Sequence, residues 1–504
     1  MTLIKNKELS YIYLLLIIAL LLRIFWLYNF TPLYNQDELS NLYDAISMSL
    51  TGYDRWKSPS PFIFKSFGPP DYRPFLFIYI ELIFYKLFQI GEIGSRFISI
   101  FFSILGLIYS YLIVKLFLNR KIALICLFVI SFLPIHIRFS NIAFESSSMS
   151  STISLLGLYY LLRYSLTNKK ESLYLSIFWF GIAPSAYQSC KLTSILVTGL
   201  IFLGLLYYKK WREFIVSIII FSIILIPHII LIIDYPELYF ARALNTIPHF
   251  SNFYLLKVAI EFFSSLNPIV MFGSENIEYN LTYSRFLLIE FPLFVIGLFV
   301  INKIEFITPK KKIVLLVSYL IFALPEAITL SSINLYRSNL KHYFMALIIA
   351  IGIYYISEKK WVSTKLLLFS ILINFTIVAI ASYNLPSRLS GFQVENKAIF
   401  SKLNEYKGKY SNYYIESIGN QPYIYLLYYC HISPVDFHKA KIVNKGGKNW
   451  DDIRQVNNYF LCQYNELNML KRDTNNLIIS HKKISNYIVV DSIISNNRIF
   501  YFLK

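Results

Sequence analysis

Charge is scarce in this chain, and acid is scarcer than base. Only 15% of the 504 residues are Asp, Glu, Lys or Arg, where a soluble domain carries about 25%. A chain this poor in charge and 56% hydrophobic cannot cover itself with water-compatible side chains. A wholly soluble globular protein is therefore excluded, and lipid must cover much of the surface. Cysteine is nearly absent. Cys126, Cys190, Cys430 and Cys462 form no CxxC pair, and no His/Cys ligand spacing supports zinc. A Cys430–Cys462 disulfide stays open, because both fall in the tail. There is no nucleotide-phosphate loop and no repeat of fixed period. The first apolar run lacks a small-residue cleavage pattern from Arg23 to Phe30, so it reads as a span and not a cleavable leader.

What is present is aromatic and aliphatic: 43 Phe and 41 Tyr among long Ile/Leu runs. The runs predict about eleven transmembrane helices near 9–30, 96–118, 121–136, 146–164, 171–186, 192–208, 213–233, 284–302, 313–331, 340–357 and 363–383. The net charge of +19 does not point to nucleic acid. Its lysines and arginines sit in short clusters between the runs: Lys5/Lys7, Lys115/Arg120/Lys121, Arg163/Lys169/Lys170, Lys209/Lys210/Arg212, Lys310/Lys311/Lys312 and Lys359/Lys360/Lys365. With eleven crossings all of these share one side, which the positive-inside rule makes cytoplasmic. The expected architecture is an α-helical polytopic membrane domain over 1–383, with long external loops at 31–95 and 234–283. A soluble α/β domain over 384–504 follows on the external face. Its expected strands are Tyr413–Glu416, Tyr459–Cys462, Leu477–Ser480, Ile488–Val490 and Arg498–Phe502, and its expected helices are Ala398–Tyr406 and Gln421–Tyr429.

The first long loop carries the sharpest signal. Asp37 and Glu38 lie side by side just beyond the first span. Apolar spacing at Leu39, Leu42, Ile46 and Leu50 predicts a surface helix after them, with Phe75–Phe88 as a second helix lying in the interface. The bland alternative makes the acidic pair a solvated helix cap.

In order along the chain, Asp37-Glu38, Arg73-Pro74 and Gly91…Arg96 resemble the first external loop of GT-C glycosyltransferases. That superfamily of lipid-phosphate-dependent enzymes includes the protein O-mannosyltransferases and the lipid A aminoarabinose transferases. Further segments are similar to later parts of the same pattern: Arg138–Ser146 with Glu145, Tyr187–Lys191, Phe262–Ser274, Leu324–Ala327 with Asn334–Arg337, and Gln421–Ile424. Lys191 stands where the pattern has Arg, Glu145 where many members have Asp, and Arg73-Pro74 lacks a full Lys-Pro-Pro.

The resemblance implies a multi-pass enzyme of the cell's inner membrane. It would move a hexosyl or pentosyl group from a polyprenyl-phosphate donor to an acceptor hydroxyl on the external face. The acceptor is a lipid, glycan or protein. Such a transfer needs a positioned carboxylate base, for which Asp37, Glu38 and Glu145 are the candidates. It also needs cations for the phosphate leaving group; Arg73, Lys191, Arg242 and Arg337 are placed on the external side. No cofactor is certain, and a divalent cation bridging Asp37, Glu145 and phosphate stays open. His136, Arg138 and His228 read as packed or loop residues. A transporter or flippase is the first rival class, but inverted repeats and broken mid-membrane helices are not visible. A polysaccharide polymerase or ligase is the second; it would share lipid-linked substrates but not the acidic pair.

Overall fold

The computed structural model describes residues 2–29, 34–68, 72–247, 253–264, 272, 286–330, 337–338, 340–383, 393–446, 451–485, 487–495 and 498–504. A helix lies over each expected span: Thr2–Asn29, Glu92–Phe117, Arg120–Ser131, Ser148–Thr167, Lys170–Ala186, Gln188–Tyr207, Trp211–Ile224 with Ile226–Asp234, Glu290–Val300, Pro309–Ile328, Lys341–Glu358 and Thr364–Tyr383. Among the described residues three segments, Leu9–Asn29, Glu92–Phe117 and Gln188–Tyr207, are long and apolar enough to cross a membrane on length and composition alone. Two bent pairs raise this to five: Arg120–Ser131 with Pro134–Ser140, at 65°, and Trp211–Ile224 with Ile226–Asp234, at 57°. The expected count of eleven is not reached by that criterion. Helix contacts use polar residues that dilute the apolar signal. Ser148–Thr167 buries Ser148, Ser150, Ser151, Thr152 and Ser154, and Pro309–Ile328 opens on three lysines.

The helical core is one large apolar cluster. Glu290–Val300 and Lys341–Glu358 approach backbone to backbone at Gly297 and Gly352, where a methyl group would collide with the carbonyls of Ile348 and Leu293. Small residues make such close crossings between membrane helices. Arg23 is fully buried. Its Nε donates to Ser103 Oγ at 2.8 Å, its Nη1 to the Ala19 carbonyl at 2.9 Å, and its Nη2 meets His136 Nδ1 at 2.7 Å. His136 Nε2 in turn meets the Tyr343 hydroxyl at 2.8 Å. His136 is thus a satisfied packing residue.

The first long loop folds into the helix Gln36–Thr51, a hairpin of β1 (Ile63–Lys65) and β2 (Tyr72–Pro74), and the helix Leu76–Phe88. The last helix buries Phe77, Ile78, Glu81 and Leu82 and leaves Ile83, Phe84, Leu87 and Phe88 exposed, the division expected of an interfacial helix.

The tail is an α/β unit, as expected. Its strands are β3 (Asn412–Glu416), β4 (Ile442–Asn444), β5 (Ile453–Val456), β6 (Tyr459–Cys462), β7 (Asn476–Ser480), β8 (Val489–Ser495) and β9 (Arg498–Leu503), in the sheet order β4-β5-β6-β3-β7-β9-β8. β3 runs parallel to β6 and β7; the other pairings are antiparallel. β4 and β5 add two strands to the five expected. All four cysteines are free. Cys430 is buried with its thiol donating to the Phe400 carbonyl at 3.3 Å, so no disulfide forms.

The tail is docked on the first loop. Tyr43 donates to the Ile432 carbonyl at 2.8 Å, Tyr429 to Glu92 Oε1 at 2.9 Å, and Lys397 pairs with Glu92 at 3.2 Å. Trp56 packs against Tyr423 and Phe437. One apolar cluster contains residues of both parts.

Candidate functional site

The site begins at a helix start. Asn35 caps Gln36–Thr51: its side chain accepts from the Glu38 amide at 2.9 Å, and Glu38 Oε2 accepts from the Asn35 amide at 3.1 Å. This reciprocal box satisfies two otherwise orphaned donors, and the two carboxylates of the first turn suit the positive end of the helix dipole. Gly52, at φ +80°, closes the other end.

Neighbouring residues on a helix point about 100° apart, and the acidic pair divides accordingly. Glu38 turns inward and is fully buried. Its Oε1 accepts from Arg96 Nε and the Ala143 amide, both at 2.8 Å, and its Oε2 accepts from Arg96 Nη2 at 2.8 Å. Asp37 stays 28% exposed, with Oδ1 accepting from Arg73 Nη2 at 2.5 Å. Glu38 therefore ties together the start of Gln36–Thr51, the start of Glu92–Phe117 and the Ala143 loop, whereas Asp37 remains open to a partner from outside.

Arg73 is the hub. It sits on β2 opposite Phe64 of β1. Its Nη1 donates to Asn41 Oδ1 at 2.5 Å, Ser40 Oγ at 2.6 Å and the Asp37 carbonyl at 3.1 Å. Its Nε lies 4.0 Å from Glu145 Oε1, and Asn41 Nδ2 donates to Glu145 Oε2 at 3.2 Å. Ser40 and Asn41 were not anticipated from the sequence. Helical spacing from Asp37 puts them on the next turn, which was the signal available.

Beside this network lies a cavity of about 210 Å³ whose lining includes Arg73, Glu145, Lys191, Arg242 and Arg337. Five of the seven residues expected in the site thus share one chamber. Among the described residues its lining carries four basic side chains and one carboxylate, a balance that favours an anion. Asp37 adjoins it through Arg73, and Glu38 lies outside it. Tyr187, Gln188 and Tyr239 complete one wall. Lys191 Nζ sits 3.5 Å from the centre of the Tyr239 ring, a cation–π contact. His228 meets Ser185 at 2.9 Å and the Tyr239 hydroxyl at 3.3 Å, a structural histidine behind that wall. Burial, only partly offset by Arg337, raises the Tyr187 phenol above its ordinary pKa. Phe262–Ser264 end a described helix, but most of the rest of that segment, like Asn334–Tyr336, lies outside the described residues. A second, apolar groove of about 420 Å³ between Glu290–Val300, Pro309–Ile328 and Lys341–Glu358 carries no acid–base cluster.

Among the described residues no group of three His, Cys, Asp or Glu could hold a metal. Asp37 and Glu145 both approach the Arg73 guanidinium, which takes the place between them.

Behind the network, Glu81 is fully buried and accepts from the Ser95 hydroxyl. Burial, with Glu38 and Glu145 nearby, holds its carboxyl well above the usual range, against the lowering effect of Ser95. The unfolded carboxyl titrates near 4.3. The contribution of Glu81 to stability is therefore fully present below that pH and is lost as pH rises through the folded value, because the unfolded state releases its proton first. Glu81→Gln removes that slope. Thermal unfolding in detergent should show the variant gaining on wild type as pH rises; parallel curves would assign the slope elsewhere.

With this geometry in view, similarity to known proteins can be stated. Residues 72–239 match the sequence model of the dolichyl-phosphate-mannose-protein mannosyltransferase family. The structure superposes on ArnT from Cupriavidus metallidurans bound to undecaprenyl phosphate with a TM-score of 0.59, at 10% identity over 98% of both chains. The apo form of that protein gives 0.58, at the same identity and coverage. The chain carries a GT-C fold. The oligosaccharyltransferase of Archaeoglobus fulgidus gives 0.52 at 14% identity, over 84% of this chain and 64% of that one. No curated protein matches by sequence. The family match spans Arg73, Glu145 and Lys191, and it ends at Tyr239.

Proposed function

We propose that this GT-C chain is a membrane glycosyltransferase. It moves a sugar from a polyprenyl-phosphate-linked donor to an acceptor hydroxyl at the external face of the membrane. The observation that carries this is the cationic chamber of Arg73, Lys191, Arg242 and Arg337 next to Asp37. It lies at the ends of the apolar helices Gln188–Tyr207 and Pro309–Ile328, and the similar ArnT structure was solved with undecaprenyl phosphate. A flippase needs no carboxylate held at the edge of an anion site.

The residues divide the reaction as follows. Asp37 takes the proton of the acceptor hydroxyl; its Oδ2 makes no hydrogen bond among the described residues, while Oδ1 is anchored by Arg73. The acceptor oxygen bonds to the anomeric carbon as the bond from that carbon to the phosphate oxygen breaks. The negative charge gathering on the departing phosphate is met by the chamber's cations. Glu145 lies across Arg73 from Asp37 and holds the guanidinium and Asn41 in register. Glu38 serves the scaffold. The purified protein should transfer label from a polyprenyl-phosphate sugar to an acceptor, and flipping of the intact donor without cleavage would overturn the assignment.

Arg73→Ala should cost on the order of 2–4 kcal/mol of transition-state stabilisation, as losing one oxyanion donor does. Arg73→Lys should restore only part, since the forked geometry is lost. Normal turnover of the Ala variant at normal expression removes Arg73 from the site.

The same reading takes eleven crossings, a cytoplasmic N-terminus and an external domain over 384–504. The support is the common side of the six basic clusters. A cysteine introduced at Lys441, on the tail's surface, should react with an impermeant reagent in intact cells. Reaction only after permeabilisation would invert the topology.

A further inference from the structure

Arg73 is gripped from one side by the Gln36–Thr51 helix, and from the other by residues that lead to the tail. Phe67 is fully buried, with the guanidinium carbons of Arg73 and Arg55 each 5.3 Å from its ring centre. Tyr423 of the tail packs edge-on to the same ring, with centroids 6.2 Å apart. The Phe67 carbonyl accepts from the Asp451 amide at 2.8 Å. The Asp451 carboxylate pairs with Lys65 at 2.9 Å, and Lys65 is the β1 residue opposite Tyr72, the neighbour of Arg73. Asp451 is itself fixed within the tail. Asn444 donates to its carboxylate at 2.7 Å, and Gln421 donates to its carbonyl at 2.8 Å. It is 2% exposed, so water screens this pair little.

We propose that Asp451 is a positioning residue: through Lys65 and Phe67, the tail sets the β1–β2 hairpin and with it the place of the Arg73 guanidinium. The inference rests on the proposed role of Arg73 for its catalytic consequence, but not for the positioning itself. Two links make the coupling physical. The ion pair pins the strand that registers with β2, and the amide–carbonyl bond pins the residue whose ring faces the guanidinium. A cation held by four acceptors on one helix still needs its backbone fixed from the opposite side. A misplacement of about 1 Å in such a group can cost a hundredfold in rate.

Asp451→Asn in the full chain removes the charge and keeps the amide. Hydrogen exchange should then speed up in residues 63–68 and 72–74 and stay unchanged in the membrane helices, with cooperative unfolding retained. Asp451→Glu should restore part of the protection. Unchanged exchange in the hairpin, or loss of protection spread over the whole chain, overturns the proposal whatever the chain catalyses. In the transfer assay Asp451→Asn should lower kcat, on the order of ten- to a hundredfold, with KM for the acceptor unchanged. In an Arg73→Ala background it should have no further effect, because the group it places is gone. The same loss in both backgrounds would mean that Asp451 acts other than through Arg73. A wild-type chain that transfers no sugar would count against the proposed function and leave the exchange result to decide the positioning.

Discussion

Glu38→Ala should destabilise the protein by about 3–5 kcal/mol, the usual consequence of removing one partner from a buried ion pair. The carboxylate is inaccessible to solvent and accepts from two nitrogens of Arg96 and from the amides of Asn35 and Ala143. Its loss leaves Arg96 charged and 5% exposed, over the Tyr34 ring at 4.7 Å, with its main anion gone. Desolvation then dominates, since an unpaired buried charge is far costlier than an unpaired surface one. Glu38→Gln should be milder, because the amide oxygen still accepts while its NH₂ opposes Arg96. The measurement is unfolding in detergent, with turnover taken on the folded fraction. Full stability with lost turnover would return Glu38 to the chemistry, the role that adjacency to Asp37 suggests in the sequence.

The residues most legible in the sequence were those whose side chains have no reason to be where they are unless they have a partner. A cation or carboxylate at the edge of an apolar bundle is costly, which is why Arg73, Glu145, Lys191, Arg242 and Arg337 could be singled out, and the structure gathers them around one chamber. Elements with a full period were legible too: the helix over Gln36–Thr51 and the strands β3, β6, β7 and β9. What stayed hidden is polar and long-range. Ser40 and Asn41 are ordinary helix residues until Arg73 arrives from a strand more than thirty positions later. Lys65 and Asp451 are 386 positions apart, and no periodicity links them. The division of labour between Asp37 and Glu38 was visible only as a statement that one must face away. Which one faces inward is decided by Asn35, whose cap recruits the N3 residue, and by Arg96 on the following span. The Gly91…Arg96 spacing marked that arginine as part of a pattern without revealing its partner.

Asp37→Asn should leave the fold intact and lower turnover by a factor of roughly 10²–10⁴, the contribution of a positioned base. The side chain is 28% exposed and outside the helix's buried face, and its main-chain carbonyl still accepts from Arg73. Asparagine keeps the size and can keep one hydrogen bond to the guanidinium. It has no site able to take a proton from a hydroxyl. Binding of the donor's phosphate should therefore survive, because Arg73, Arg242 and Arg337 remain. The loss should appear in kcat, with little change in KM for the donor, the signature of an interaction made only in the transition state. Under the proposed mechanism this outcome separates the base from the cations: Arg73→Ala should act on the departing phosphate, Asp37→Asn on the attacking oxygen. A small nucleophile that needs no deprotonation, such as azide, should recover part of the lost rate in Asp37→Asn and none in Arg73→Ala. Wild-type turnover in Asp37→Asn, on protein with a normal melting temperature, would reduce the acidic pair to a helix cap and an ion pair. Glu145, across the same arginine at 4.0 Å, would then be the carboxylate to test next, as the one acid among the described residues that line the chamber.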